Sequence, residues 1–488
     1  MKRGTQRGFG VAQVHVRVVA RVVVCLAIAG LTACVSERSI DLEAIYGERA
    51  RASATTRTPV VVLPGVLGSK LHDPTSQRDV WGAFQFGAVD PDIPADARLF
   101  ALPMAQGVSL AELGDGITAP DALDSVKIDI GVLRGLELGA YVNLLQALAV
   151  GKYRDSALAP PDPNAVQYGG LHYTCWQHPY DWRREISTQA AALDADIRRL
   201  QETVRRERGL APDADVKVDL LCHSMGGLLG QWYLRYGAQT LPAEGPMSPP
   251  TWEGARNIRK FIMVATPSGG SLRSLRALTE GLNLNPLFPN YRPSVIGTFP
   301  SLYQLLPPSQ FERLRDANGN ALNAHDVATW QRYQWGLLEP AQATYLAWLL
   351  PEVKDATERQ AIARDHVRKC LDAATRFHEA LMRPSTPPEH LRVVLFAGDA
   401  LKTEAVFAAM PAVGSTAGAL RVEARVPGDG EVTRVSALAD AAVVKGGRQP
   451  PARWIDFDAT FFLPYEHLEI TERPEFIDNL LFELLERD

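Results

Sequence analysis

The chain has 488 residues, of which 46% are hydrophobic and 22% charged, and its net charge is −5. That length and balance fit a large globular protein with one elaborated domain or two smaller ones. With no dense Lys/Arg run beyond the N-terminus, the mild acidity excludes nucleic acid as an expected partner.

The first segment reads as a targeting sequence rather than part of a fold. Lys2, Arg3, Arg7, Arg17 and Arg21 form a basic region, followed by an apolar run, Val22–Ala33, too short to span a bilayer comfortably. It ends in Leu31-Thr32-Ala33-Cys34, which resembles a bacterial lipoprotein lipobox. That resemblance implies a signal peptide over 1–33, lipidation of Cys34, and export to the bacterial cell envelope, at the outer membrane or the periplasmic face. The blander reading is an ordinary signal peptide cut near Ala33. Cys175, Cys222 and Cys370 then remain, an odd number that implies no disulfide framework, although one bridge could form in an oxidising compartment. No Cys/His set has zinc spacing and no HExxH occurs, so no metal or cofactor is expected.

Ile40–Thr58 is polar and charged and reads as a linker, so that 34–58 joins the anchor to the fold. The fold begins at Pro59-Val60-Val61-Val62-Leu63, a buried strand, followed by the loop Pro64-Gly65-Val66-Leu67-Gly68-Ser69. A glycine-bearing loop at this point suits one half of an oxyanion hole, with the Val66 N–H as donor. From about 71 to 170 the chain is long and rich in turns. Within it, Leu71–Arg98 is a candidate lid, with Trp81 and Phe86 as candidate lipid-contacting groups or, equally, ordinary core.

Leu171–Trp176 reads as an aromatic strand closed by His178-Pro179-Tyr180-Asp181-Trp182-Arg183, where Asp181 and Arg183 are read as a structural ion pair. Ile186, Ala190, Leu193, Ile197, Leu200 and Val204 recur at helical spacing and give a crossover helix. It leads to Val216–Tyr236. There a short apolar run, the turn Cys222-His223-Ser224-Met225-Gly226, and a helix-spaced series (Leu228, Leu229, Trp232, Tyr233, Tyr236) form a strand–turn–helix. This is the context of a nucleophile elbow, with Ser224 standing clear at the strand end and the Met225 N–H as second oxyanion donor. The usual pattern is G-x-S-x-G, and here Cys222 takes the first glycine's place.

Ile258–Ala265 is a further strand, so 59–271 reads as the first part of a parallel core. Leu272–Pro388 is aromatic-rich and mostly helical, and reads either as a cap over the site or as a subdomain with its own core. Leu391–Ala397 returns to the sheet, Arg421–Val426 is another strand, and 389–488 completes the core, ending in a helix from about Pro474.

A serine hydroxyl needs an imidazole to take its proton and a carboxylate to hold that imidazole in one tautomer. His467, shortly before the last helix, is the expected base. Asp429, in a Gly-Asp-Gly turn, is the expected acid, and Asp399 is the rival. The chain order Ser–Asp–His is that of an α/β-hydrolase.

Together VVLPGVLGSKL, HPYDWR, CHSMGG, ATPSGGS, FPSLYQLLP, GDGEV and EHL resemble the lecithin:cholesterol acyltransferase family. The resemblance implies an α/β-hydrolase fold, a mostly parallel sheet with flanking helices plus a lid loop and a helical cap. It also implies Ser224, Asp429 and His467 as nucleophile, acid and base, with Val66 and Met225 as oxyanion donors. The expected partners are a lipid ester substrate and a membrane surface reached through the anchor and the candidate lid. Cys222 departs from the family's elbow glycine, Glu431 stands where a Thr is usual, and the candidate lid lacks the cysteine pair of animal members. A serine acyl hydrolase or O-acyltransferase on lipid esters is therefore expected. The rivals are an esterase for soluble esters and a catalytically idle surface-binding scaffold.

Overall fold

The computed structural model describes residues 40–52, 56–82, 89–123, 140–153, 174–282, 290–311, 313–440 and 455–487. The stretch 1–33 expected to be a signal peptide, Cys34, Phe84, Phe86 and Phe288 lie outside them. From Glu43 onward the chain forms one compact unit.

Eleven strands are described. β1 (Val60–Leu63), β4 (Cys175–Gln177), β5 (Val218–His223), β6 (Ile258–Val264), β8 (Arg392–Gly398) and β11 (Ala459–Leu463) form the central sheet. Its order is β11-β8-β6-β5-β1-β4, and every pairing in it is parallel. β1 and β5 are buried at every position, as expected of strands covered by helices on both faces. β2 (Leu71–Asp73) and β3 (Arg78–Trp81) make a separate hairpin. β7 (Leu314–Asp316), β9 (Leu401–Ala409) and β10 (Leu420–Gly428) make a three-stranded sheet.

The register decides where chemistry can happen. Leu63 lies opposite Cys222, Cys222 opposite Met263, and Leu463 opposite Gly398. Five central strands therefore end along one edge. From β1 the chain steps to β4 on one side, then crosses back to β5 on the other, so the order reverses between β1 and β5. Loops leaving such a switch point diverge and open a crevice at the carboxyl ends of the strands.

The crossover helix, Ala190–Glu207, buries Leu193, Ile197, Leu200 and Val204 as its spacing predicts. The elbow helix, Gly226–Tyr236, is instead buried at all of its positions. It is closed in by the sheet and by the long helix Ala356–Leu381, against which Trp232 stacks on Phe377 at 5.3 Å. Its first turn lies close against β1: a Cβ on Gly226 would stand 2.5 Å from the Pro64 carbonyl oxygen and 2.7 Å from that of Leu63.

One expectation is corrected, and the burial of two sets of aromatic rings bears on readings left open. Within the stretch read as a linker, Leu42–Ala52 is a helix. Its Leu, Ala, Glu and Arg residues favour helix. Tyr46 donates to Asp478 Oδ1 at 2.6 Å, which docks the helix on the C-terminal one. Trp81 is not displayed to lipid. It is 2% exposed, packs edge-on against Trp182 at 5.7 Å, and donates its indole N–H to the Leu67 carbonyl. In 272–388, Phe299, Tyr303, Trp330 and Trp335 are buried, with Tyr303–Trp330 at 5.4 Å and Trp330–Trp335 at 5.9 Å. These rings belong to the main hydrophobic core, with Phe299 edge-on to Trp182 at 5.7 Å, while Tyr345 and Trp348 are half-buried.

Replacing Gly226 with Ala should destabilise the protein by about 1–3 kcal/mol, because backbone carbonyls cannot step aside for the new methyl group. Urea unfolding of the variant against the parent measures this as a lowered midpoint at constant slope.

Candidate active site

Ser224 follows directly on β5 with φ of 51°, a left-handed conformation that costs a non-glycine residue energy and marks tight functional turns. Its N–H is tied to the Val264 carbonyl at 2.9 Å, so the turn is braced by the neighbouring strand. Cys222, the departure from the usual pattern, is fully buried. Room for its sulfur comes from Gly230 one turn on: a Cβ there would lie 3.1 Å from the Cys222 Sγ. Burial also pushes the Cys222 thiol well up, so it behaves as a small apolar group. All three described cysteines, Cys175, Cys222 and Cys370, are free and buried.

The loop after β11 brings His467 to Ser224, with Nε2 2.9 Å from Oγ. On the other side of the ring, Nδ1 lies 2.9 Å from Asp429 Oδ2, and the His467 backbone N–H donates to the Asp429 carbonyl at 3.0 Å. A carboxylate only accepts, so Nδ1 carries the proton and the Nε2 lone pair faces the serine hydroxyl. The second Asp429 oxygen, Oδ1, accepts from the Glu431 and Val432 N–H groups at 2.9 and 2.6 Å.

Asp429 reaches this position from β10, which is outside the central sheet. A Cβ on Gly398, the last residue of β8, would lie 2.5 Å from the Asp429 Cβ, so the absence of that side chain admits the carboxylate. Asp399 is instead paired with Arg434 at 3.1 Å. Glu431 pairs with Arg273 at 3.0 Å.

The loop after β1 is held by the HPYDWR segment. Tyr180 Oη donates to the Pro64 carbonyl at 2.8 Å, the Tyr180 N–H to Ser69 Oγ at 3.1 Å, and Trp182 Nε1 to the Ser69 carbonyl at 3.2 Å. Behind them, the fully buried Arg183 bridges Asp181 at 2.8 Å and Asp115 at 2.7 Å. The ion pair is structural, as read from the sequence. The Val66 and Met225 N–H groups have no acceptor among the described residues.

Sequence reasoning missed His223. Its Nε2–H donates to the His467 carbonyl at 3.3 Å, and the two rings lie 5.1 Å apart. Burial and the adjacent His467 push the His223 pKa down to about 3, which keeps this ring neutral and fixes its role as a donor. Its place immediately before the elbow serine was the available signal. Burial alone would lower the His467 pKa, but the charge and hydrogen bond of Asp429, with Glu431 beyond, leave it raised.

Comparison with known proteins bears on this geometry. Residues 169–345 match the model of the lecithin:cholesterol acyltransferase family. The match contains Ser224 and its elbow and supports lipid acyl hydrolase activity. Asp429 and His467 lie beyond it. A chain in the crystal structure of the Tle4–Tli4 complex is 14% identical, covers 88% of this chain and 98% of its own, and has a TM-score of 0.58. It shares the α/β-hydrolase fold. Lipase 1 from Pelosinus fermentans, 12% identical with the same coverages, has a TM-score of 0.31, too low to carry an argument. No curated protein matches the sequence.

A raised folded-state pKa means that His467 contributes stability fully below its ordinary value of 6.5, and that this contribution is lost as pH rises through the folded value. In an NMR titration His467 should therefore titrate above 6.5. Asp429→Asn should move the midpoint down, since the raising charge is gone; an unchanged midpoint would show that Asp429 does not govern the imidazole.

Proposed function

We propose that the protein is a serine-dependent acyl hydrolase or O-acyltransferase of lipid esters. The observation that carries this reading is the single hydrogen-bonded line from Ser224 Oγ through both nitrogens of His467 to Asp429. In this reading His467 removes the Ser224 proton as Oγ attacks the ester carbonyl, and Asp429 holds the tautomer and stabilises the imidazolium. The Val66 and Met225 N–H groups take the negative charge that develops on the carbonyl oxygen. The tetrahedral species then collapses, His467 gives its proton to the departing alcohol, and the acyl group remains on Ser224. Water or an acceptor alcohol, deprotonated by the same imidazole, releases it. The family match supports lipid esters over soluble ones.

The test is incubation with mixed phospholipid vesicles containing a long-chain alcohol, with products read by mass spectrometry. Free fatty acid is expected from hydrolysis, and a new ester on the alcohol from transfer. Ser224→Ala and His467→Ala should each lower the rate by about 10⁴-fold or more. Products that persist in Ser224→Ala would sink the reading, and no lipid product from the parent protein would favour the soluble-ester or binding alternatives.

In the same proposal 1–33 is a lipoprotein-type signal peptide, Cys34 anchors the chain to the cell envelope, and 272–388 caps the site. Labelling cells with a tagged palmitate should mark the parent protein and not Cys34→Ala, and the variant should leave the membrane fraction. Equal labelling of both would remove the anchor from the proposal.

A further inference from the structure

Asp429 sits on a tight turn, 428–433, that lies outside the central sheet. The Asp429 N–H donates to the Val432 carbonyl at 3.1 Å, and Gly428 is bridged to Thr433, so the turn closes on itself. Asp429 Oδ1 takes the Glu431 and Val432 N–H groups. From the side of the Leu272–Glu280 helix, Ser271 Oγ donates to the Glu431 carbonyl at 2.6 Å. The Gly430 N–H goes instead to β9, where Thr403 Oγ1 accepts it at 2.8 Å.

That N–H belongs to the same peptide unit as the Asp429 carbonyl, and this carbonyl accepts the His467 N–H at 3.0 Å. In a trans peptide the N–H and C=O point in opposite directions from one rigid plane. The plane between Asp429 and Gly430 is therefore held at both ends, by His467 on its oxygen and by Thr403 on its nitrogen. Glycine at one side would otherwise leave it free to turn. Gly430 has a φ of 93°, in a region that glycine enters and leaves at little cost. Turning the plane over would take the Asp429 carbonyl away from His467 and move the backbone from which the carboxylate projects.

The surroundings of Thr403 suit it to this task. It is 1% exposed, so water does not compete for the Gly430 N–H. Its own proton goes to the Leu401 carbonyl at 3.3 Å, which leaves the oxygen lone pairs for Gly430. Branching at Cβ restricts its χ1 angle. Its side chain also fills the notch left by a glycine: a Cβ on Gly428 would run into Thr403 Oγ1 and lie 2.9 Å from the Thr403 Cβ.

We propose that Thr403 is a positioning residue for the acid–base pair, its hydroxyl fixing the Asp429–Gly430 peptide so that the carboxylate and the His467 backbone stay in line. It acts through Asp429 and does not touch the reacting atoms. The proposal rests on reading Ser224, His467 and Asp429 as a triad. It also gives the three-stranded sheet a task, since β9 holds the turn that β10 delivers.

The test compares full-length Thr403→Val, which keeps the shape and removes the acceptor, with Thr403→Ser, which keeps the hydroxyl. Turnover of mixed phospholipid vesicles and the NMR titration midpoint of His467 are measured for each. In Thr403→Val, kcat should fall by about 100-fold with KM little changed, as expected when a catalytic group is misplaced. The His467 midpoint, raised in the parent by Asp429, should move down towards 6.5. Thr403→Ser should recover most of the turnover and restore the midpoint. A role in packing alone predicts the opposite order, because valine preserves the volume, and leaves the midpoint of the folded protein in place. Unchanged kcat and midpoint in folded Thr403→Val, or equal losses in the valine and serine variants, would overturn the proposal. Should Thr403→Val fail to fold, Thr403→Ala removes the hydroxyl without setting a methyl group against the N–H, and must show the same two changes. If turnover by the parent protein does not depend on Ser224, the triad reading fails by itself. The His467 midpoint then still decides whether Thr403 holds Asp429 against His467.

Discussion

The structure depends on the closeness with which β1 and β5 end. Leu63 and Cys222 are paired in register, so the loop after β1 and the elbow after β5 leave the sheet side by side at its switch point. Gly226 then lets the elbow helix start against the Leu63 and Pro64 carbonyls. Wider spacing would separate the Val66 N–H from the serine it is proposed to serve. The HPYDWR segment holds the same spacing from the other side, through Tyr180 on the Pro64 carbonyl and Trp182 on that of Ser69. The buried Arg183 keeps this segment rigid. Its charge is met by Asp181 and Asp115, without which its removal from water would be strongly unfavourable.

Two imidazoles stand together at the strand ends, and their surroundings drive them apart. His467 faces a carboxylate and is biased towards the protonated form. His223, buried beside it and lacking such a partner, is held neutral. The neutral ring can donate to the His467 backbone carbonyl without adding charge that would oppose an imidazolium. One ring is thus equipped to move a proton, and the other to hold the chain that carries it.

The parts of this arrangement built from local pattern were legible in the sequence. The apolar runs of β1, β5, β6 and β8, the crossover helix and the strand–turn–helix at Ser224 follow from periodicity. The positions of Asp429 and His467 relative to Ser224 followed from chain order and family resemblance. What escaped notice depends on contacts between distant residues. For Trp81 the sequence leaves lipid contact and core equally open, and Phe100 and Trp182, distant in the chain, close around it and decide for core. The charged stretch before β1 forms a helix because Tyr46 finds Asp478 near the other end of the chain. β9 went unread, and with it the small sheet that carries Asp429. The carboxylate's approach is permitted by a missing side chain at Gly398, and an absence of atoms leaves little trace in a single sequence.

Cys222 has a consequence for the chemical durability of the site. A thiol two residues from the elbow serine would, if accessible, ordinarily invite sulfenic acid formation, mixed disulfides or alkylation. Here the sulfur sits behind the elbow in the space left by Gly230, shut off from solvent and held as the unreactive thiol. Oxidants and maleimides that strip thiol enzymes of activity have no thiolate to find, so the departure from glycine adds packing atoms without adding a redox liability.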